Sequence, residues 1–176
     1  MSHSVVVPDT FSFDTHPRAA VISVLIKDDH VLLVRRANPP DAGFWGFPGG
    51  KIEFGETIAQ AAERELREET SIISEATGVL TCLDAFSRDE KRPLVSHFVL
   101  VAVLCRWRSG QPHAGDDALE ARWFALDEVD EARLTLSKDV AEVARYAATK
   151  PRKEVRACRS RTSCPSREPT PPVEQA

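Results

Sequence analysis

Glu65, Glu68 and Glu69 are the residues whose type and spacing most directly suggest chemistry. On a helix, at about 100° per residue, they fall on one arc, so three carboxylates stand together. Like charges at these spacings repel by roughly a few tenths of a kcal/mol per pair on an exposed helix. Arg64 and Arg67 offset part of that repulsion. A divalent cation offsets it better, because hard ions such as Mg²⁺ prefer carboxylate oxygens and keep water in their remaining positions. A metal held with open positions suits phosphate chemistry. The plain alternative is a solvated acidic helix face.

The elements that must position these acids can be read on either side of them. Residues 58 to 70 are rich in Ala, Glu, Leu, Gln and Arg and lack Gly and Pro, which predicts a helix. Thr57, followed three residues later by Gln60, fits a capping box at its start. Ile58, Ala59, Ala62 and Leu66 are expected to form its apolar arc. Upstream, Gly49 and Gly50 after Pro48, and then Gly55, predict a loop whose backbone comes close to something. This loop is not a nucleotide-binding P-loop: Trp45 stands where that pattern needs glycine, and Ile52 where it needs Ser or Thr.

Gly50, five residues, Glu56, seven residues, and then the run Arg64-Glu65-Leu66-Arg67-Glu68-Glu69-Thr70-Ser71-Ile72 resemble the signature of the Nudix hydrolase family. The one departure is Ser71, which stands where the family has its second glycine, at a helix end where a left-handed cap is expected. The resemblance implies an α/β Nudix fold, an α/β/α sandwich with a central mixed β-sheet and a catalytic loop-helix-loop, over residues 18 to 149. It implies hydrolysis of the diphosphate linkage of a nucleoside diphosphate joined to another moiety, with ADP-ribose or a nucleotide sugar as substrate. Mg²⁺ is the implied cofactor and Mn²⁺ its substitute. By the same carry-over Glu65 and Glu69 are metal ligands, Glu68 a ligand or the general base, and Glu56 a further ligand or support. Arg64 orients the carboxylates, and Gly50 lets backbone approach metal or phosphate. Members of the family commonly bring one more acid from a loop before a late strand, for which Asp116, Asp117 and Glu120 are the candidates. A (d)NTP pyrophosphohydrolase and a non-catalytic nucleotide-binding module are the alternatives. Family members are often homodimers, and no apolar run here adds to that.

The rest of the chain frames this stretch. Its 176 residues, 42% hydrophobic and 28% charged, suit one globular domain. Residues 150 to 176 carry seven Lys/Arg against three Asp/Glu, leaving 16 against 24 in the remainder. An acidic body argues against general nucleic-acid binding. Four cysteines without ligand spacing suggest a reducing, cytoplasmic setting, with Cys82 and Cys105 buried in strands. No apolar run is long enough to span a membrane.

Residues 1 to 17 read as a leader, and residues 150 to 176, rich in Pro and basic residues, as a disordered tail. Residues 19 to 27 and 30 to 36 predict a hairpin turning at Asp28-Asp29. Arg35 and Arg36 at its end either reach substrate phosphates or form a solvated strand end. Residues 37 to 50 read as a loop in which Trp45 packs. Residues 79 to 87 and 94 to 106 predict an antiparallel pair, with His97 a structural residue. Residues 120 to 125 predict a short strand, and residues 126 to 132 and 137 to 148 two helices.

Overall fold

Alternating aliphatic residues at period two set up a sheet with two apolar faces. The structure, a computed structural model, describes residues 16–89, 92–115 and 117–150. Most of the expected leader, all of the tail beyond Lys150, and Asp116 lie outside the described residues.

β1 (Arg18–Lys27) and β2 (His30–Arg36) form the expected hairpin. Asp28 and Asp29 take positive φ of 47° and 59°, the two left-handed positions of a tight turn whose twist matches the strands. The two strands pair only beside that turn, at Ile26↔Val31 and Lys27↔His30. They then part. β1 runs parallel to β6 (Arg92–Ser109), from Arg18↔Phe98 to Leu25↔Cys105, while β2 pairs antiparallel with β7 (Ala118–Ala125). β5 (Ile73–Asp89) lies antiparallel against β6, giving a longer hairpin than the sequence suggested. The sheet is mixed, as expected.

α1 (Ile58–Thr70) and α2 (Val140–Ala148) cover opposite faces. Val21, Leu25, Leu32, Val101 and Val103 bury against Ala61, Ala62 and Leu66 of α1. Val24, Val31, Leu33 and Phe124 bury on the other side against Val140, Val143, Ala144 and Ala147 of α2. The result is the α/β/α sandwich.

Four details differ from the sequence reading. Residues 37 to 50 are not all loop: β3 (Trp45–Gly46) pairs with β2, and β4 (Gly49–Lys51) pairs with β1. Residues 126 to 132 form turns rather than a helix. Leu126 N–H is taken by Asp29 O at 3.0 Å, and the Asp130 carboxylate takes Ala132 N–H at 2.9 Å, a local bond that competes with helical pairing. On α1 the buried residues are Ala61, Ala62, Leu66 and Thr70, while Ile58 is 39% exposed, so the apolar arc is rotated from the one expected. Finally, Cys105 is buried but Cys82 is exposed. Trp45 packs as expected, edge-on to Phe124 with ring centroids 4.7 Å apart.

Candidate active site

α1 is fixed at both ends and in the middle. At its start, Thr57 Oγ1 accepts from Gln60 N at 3.2 Å and Gln60 Oε1 accepts from Thr57 N at 2.9 Å, the reciprocal pair of a capping box. One turn in, the buried Ser23 hydroxyl of β1 donates to Ala62 O at 2.8 Å. At its end, Ser71 adopts the left-handed conformation (φ 60°, ψ 12°) and its N–H caps Arg67 O at 2.8 Å. Serine there performs the turn that glycine makes without strain.

The glycine loop comes up against this helix. A Cβ on Gly49 would lie 2.2 Å from Val21 O, and a Cβ on Gly50 would lie 2.4 Å from Glu65 Oε1. Only bare backbone fits between β1 and the Glu65 carboxylate. The Gly49 N–H donates to Glu69 Oε2 at 3.2 Å.

Arg64 gathers most of the acids. Its guanidinium grips Glu56 through two bonds, Nε to Oε1 and Nη2 to Oε2, both 2.8 Å, and donates from Nη1 to Glu65 Oε1 at 2.8 Å and Glu68 Oε2 at 3.2 Å. Nη2 also donates to Lys51 O at 3.1 Å, which ties the helix to β4. Bonding to Arg64 pulls the Glu56 carboxyl below its usual range and raises the guanidinium's own pKa. Glu65 goes the other way, because burial outweighs its bond to Arg64. In Glu69, burial pushes the carboxyl up to about 7, against the lowering effect of the Gly49 N–H and of Arg36.

The expected convergence of Glu65, Glu68 and Glu69 is thus divided. Among the described residues no three carboxylates stand around a common ion position. Arg64 collects Glu56, Glu65 and Glu68, while Glu69 turns to Gly49. The donor set still fits a hard divalent cation. Glu65 and Glu69 are partly buried carboxylates one turn apart, and among the described residues Glu69 accepts from the Gly49 N–H. Glu65, Glu69, Glu68 and Glu56 are the residues that would hold the ion.

The two strand arginines separate. Arg35 lies opposite Glu120 in the β2–β7 register and bonds it at 2.8 Å. Arg35 also lies opposite Trp45, whose ring belongs to the core under α2, so this pair sits on the face away from α1. A bulge follows, and Arg36 comes within electrostatic reach of Glu69, as does Asp117. Asp117 accepts from Asn38 Nδ2 at 2.8 Å. His97 pairs with Asp84 at 2.9 Å and stacks on Phe86 in the β5–β6 hairpin. The sequence reading passed over Gly115, whose N–H donates to Glu69 O at 3.1 Å. An isolated glycine beside two aspartates was its only signal.

A family model for the NUDIX domain matches residues 15–146. The chain belongs to the Nudix hydrolase family. A relative at 33% identity over 131 residues is the ADP-ribose pyrophosphatase of Methanocaldococcus jannaschii; the match covers 74% of this chain and 75% of that one. Among solved structures, a MutT NUDIX hydrolase from Burkholderia pseudomallei superimposes with TM-score 0.65 at 28% identity, covering 74% of this chain and 98% of that one. The NUDIX domain of Shewanella oneidensis NrtR, solved in complex with ADP ribose, superimposes with TM-score 0.61 at 26% identity, covering 76% and 88%. Nudix hydrolases in general need divalent metal ions. Among the described residues no helix is long and apolar enough to cross a membrane.

Proposed function

We propose that this Nudix hydrolase cleaves the diphosphate linkage of ADP-ribose or a related nucleotide sugar, using Mg²⁺ with Mn²⁺ as a substitute. The observation that carries this reading is the pair of covered carboxylates, Glu65 and Glu69, set against the bare backbone of Gly49 and Gly50. Partly buried carboxylates on adjacent turns, one of them bonded by a backbone N–H, favour a hard cation, and the glycines let the loop backbone close onto them. The pyrophosphatase and ADP-ribose descriptions of the relatives favour the substrate class.

When bound, the metal supplies positive charge against the diphosphate and acidifies a coordinated water. Glu65 and Glu69 would hold it, with Glu56 in support. Glu68, the most exposed acid of the Arg64 group at 42%, takes the proton from the attacking water. Arg64 keeps Glu56, Glu65 and Glu68 oriented while that proton moves, and Arg36, on the Glu69 side, faces substrate phosphate.

The test is phosphate-releasing hydrolysis of ADP-ribose, nucleotide sugars, dinucleoside polyphosphates and (d)NTPs with Mg²⁺ or Mn²⁺, beside Glu69→Gln and Arg64→Lys. Metal-dependent turnover of ADP-ribose or a nucleotide sugar is expected. Glu69→Gln should abolish it. Arg64→Lys, which keeps the charge and loses the fork, should cost roughly tenfold or more in kcat/KM. A preference for (d)NTPs would move the substrate assignment, and no metal-dependent turnover by the folded protein would leave a nucleotide-binding module.

A further inference from the structure

The segment from Gly110 to Gly115 is laid across the last turn of α1, and its bonds there are made by backbone. His113 N–H donates to Thr70 O at 3.0 Å and Gly115 N–H to Glu69 O at 3.1 Å. These are two of the carbonyls that every helix end leaves without an internal partner. The approach is so close that a Cβ on Gly115 would lie 2.2 Å from Glu68 O. No other residue fits unless helix or loop moves. Just beyond, Asp117 O accepts from Ala37 N at 2.9 Å and Asp117 Oδ1 accepts from Asn38 Nδ2 at 2.8 Å. One short segment therefore clasps the end of the acid-bearing helix and fastens it to the chain leaving β2.

We propose that Gly115 is a positioning residue, and that this clasp, more than the cap at Ser71, sets where Glu68 and Glu69 stand relative to Glu65. The proposal rests on the metal-dependent reading given above. Glu65 and Glu69 are one turn apart on α1, so a shift of the last turn changes the distance between the two carboxylates. A metal tolerates only about 0.2 Å of error in its ligand distances. The clasp also explains how the chain carries serine at a position that favours glycine: the carbonyls beside Ser71 are held from outside the helix.

The experiment measures Mn²⁺ binding to the full chain by the loss of the free-ion electron paramagnetic resonance signal. Gly115→Ala should weaken binding roughly tenfold or more, the range seen when groups that orient ligands are lost. It should raise the Mn²⁺ concentration for half-maximal turnover by a similar factor, and speed amide exchange at His113. Ser71→Gly should leave affinity within about twofold, since it changes the cap and not the clasp. If Gly115→Ala fails to fold, a chain with one glycine inserted between Gln111 and Pro112 releases the same bonds without the clash and is judged by the same criteria. Wild-type affinity in the released variant overturns the proposal, as does an equal loss in Ser71→Gly. A wild type that holds no Mn²⁺ overturns the metal reading and this proposal together.

Discussion

Arg64 serves as a counterion to most of these acids. It holds three carboxylates with charge-assisted bonds, and the fourth, Glu69, is partly buried beside the Gly49 N–H, with Arg36 acting on it by charge alone. Glu69 therefore destabilises the metal-free fold once it ionises. Its carboxyl is raised from an ordinary value of 4.5 to about 7, so the folded state favours the protonated form. Below pH 4.5 it costs nothing; the penalty grows as pH rises and is complete above about 7. A shift of this size corresponds to on the order of 3 kcal/mol. Glu69→Gln should therefore abolish turnover and stabilise the metal-free protein. Urea unfolding in EDTA should show the two proteins equal near the bottom of that pH window, with the variant ahead near neutrality. Equal stability at neutral pH would show that Glu69 is not buried as described.

The helix that carries these acids was the most legible element in the chain. Its start followed from Thr57 and Gln60, its extent from propensity, and its strained end from Ser71, because each of these is local chemistry. Two substitutions separate the ends. Thr57→Ala should lower stability by about 1 kcal/mol through loss of the capping box. Ser71→Gly should raise it by about 1 kcal/mol by relieving the left-handed serine. Denaturant midpoints at unchanged m-value check both. Which face of the helix is buried was less legible. Ile58 looked like core by periodicity, but it lies in the first turn, 39% exposed, and Ala61 and Thr70 are buried instead. The partners of Arg35 and Glu120 were not legible at all, since their pairing joins positions 85 residues apart through the β2–β7 register. The turns at 126 to 132 were misread because Asp130 and the contact to Asp29 override a helical pattern.

For the molecule as a whole, the sandwich was readable from the order of strand-like and helix-like segments, and its depth was not. Both strand cysteines looked buried, yet Cys82 is exposed and Cys105 alone of the two sits in the core beside α1, where burial raises its thiol to about 12. A chain carrying Cys158→Ser and Cys164→Ser should show one thiol, Cys82, reacting at once with an aromatic disulfide reagent. Cys105 should react only as fast as the fold opens. Two rapid thiols would mean that the α1 face is looser than its packing implies.

The parallel pairing of β1 with β6 carries a consequence for how the protein is made. β1 leaves the ribosome well before its partner, because Phe98 to Cys105 emerge only after the glycine loop, α1 and the whole of β5 have been synthesised. β2 waits longer still, for β7. Until then the aliphatic strands and the acid-bearing helix have no completed sheet to rest on, and the nascent chain presents apolar surface that the finished fold covers. Slowing translation between β2 and β6 would lengthen that exposure, and chaperone demand should rise with it.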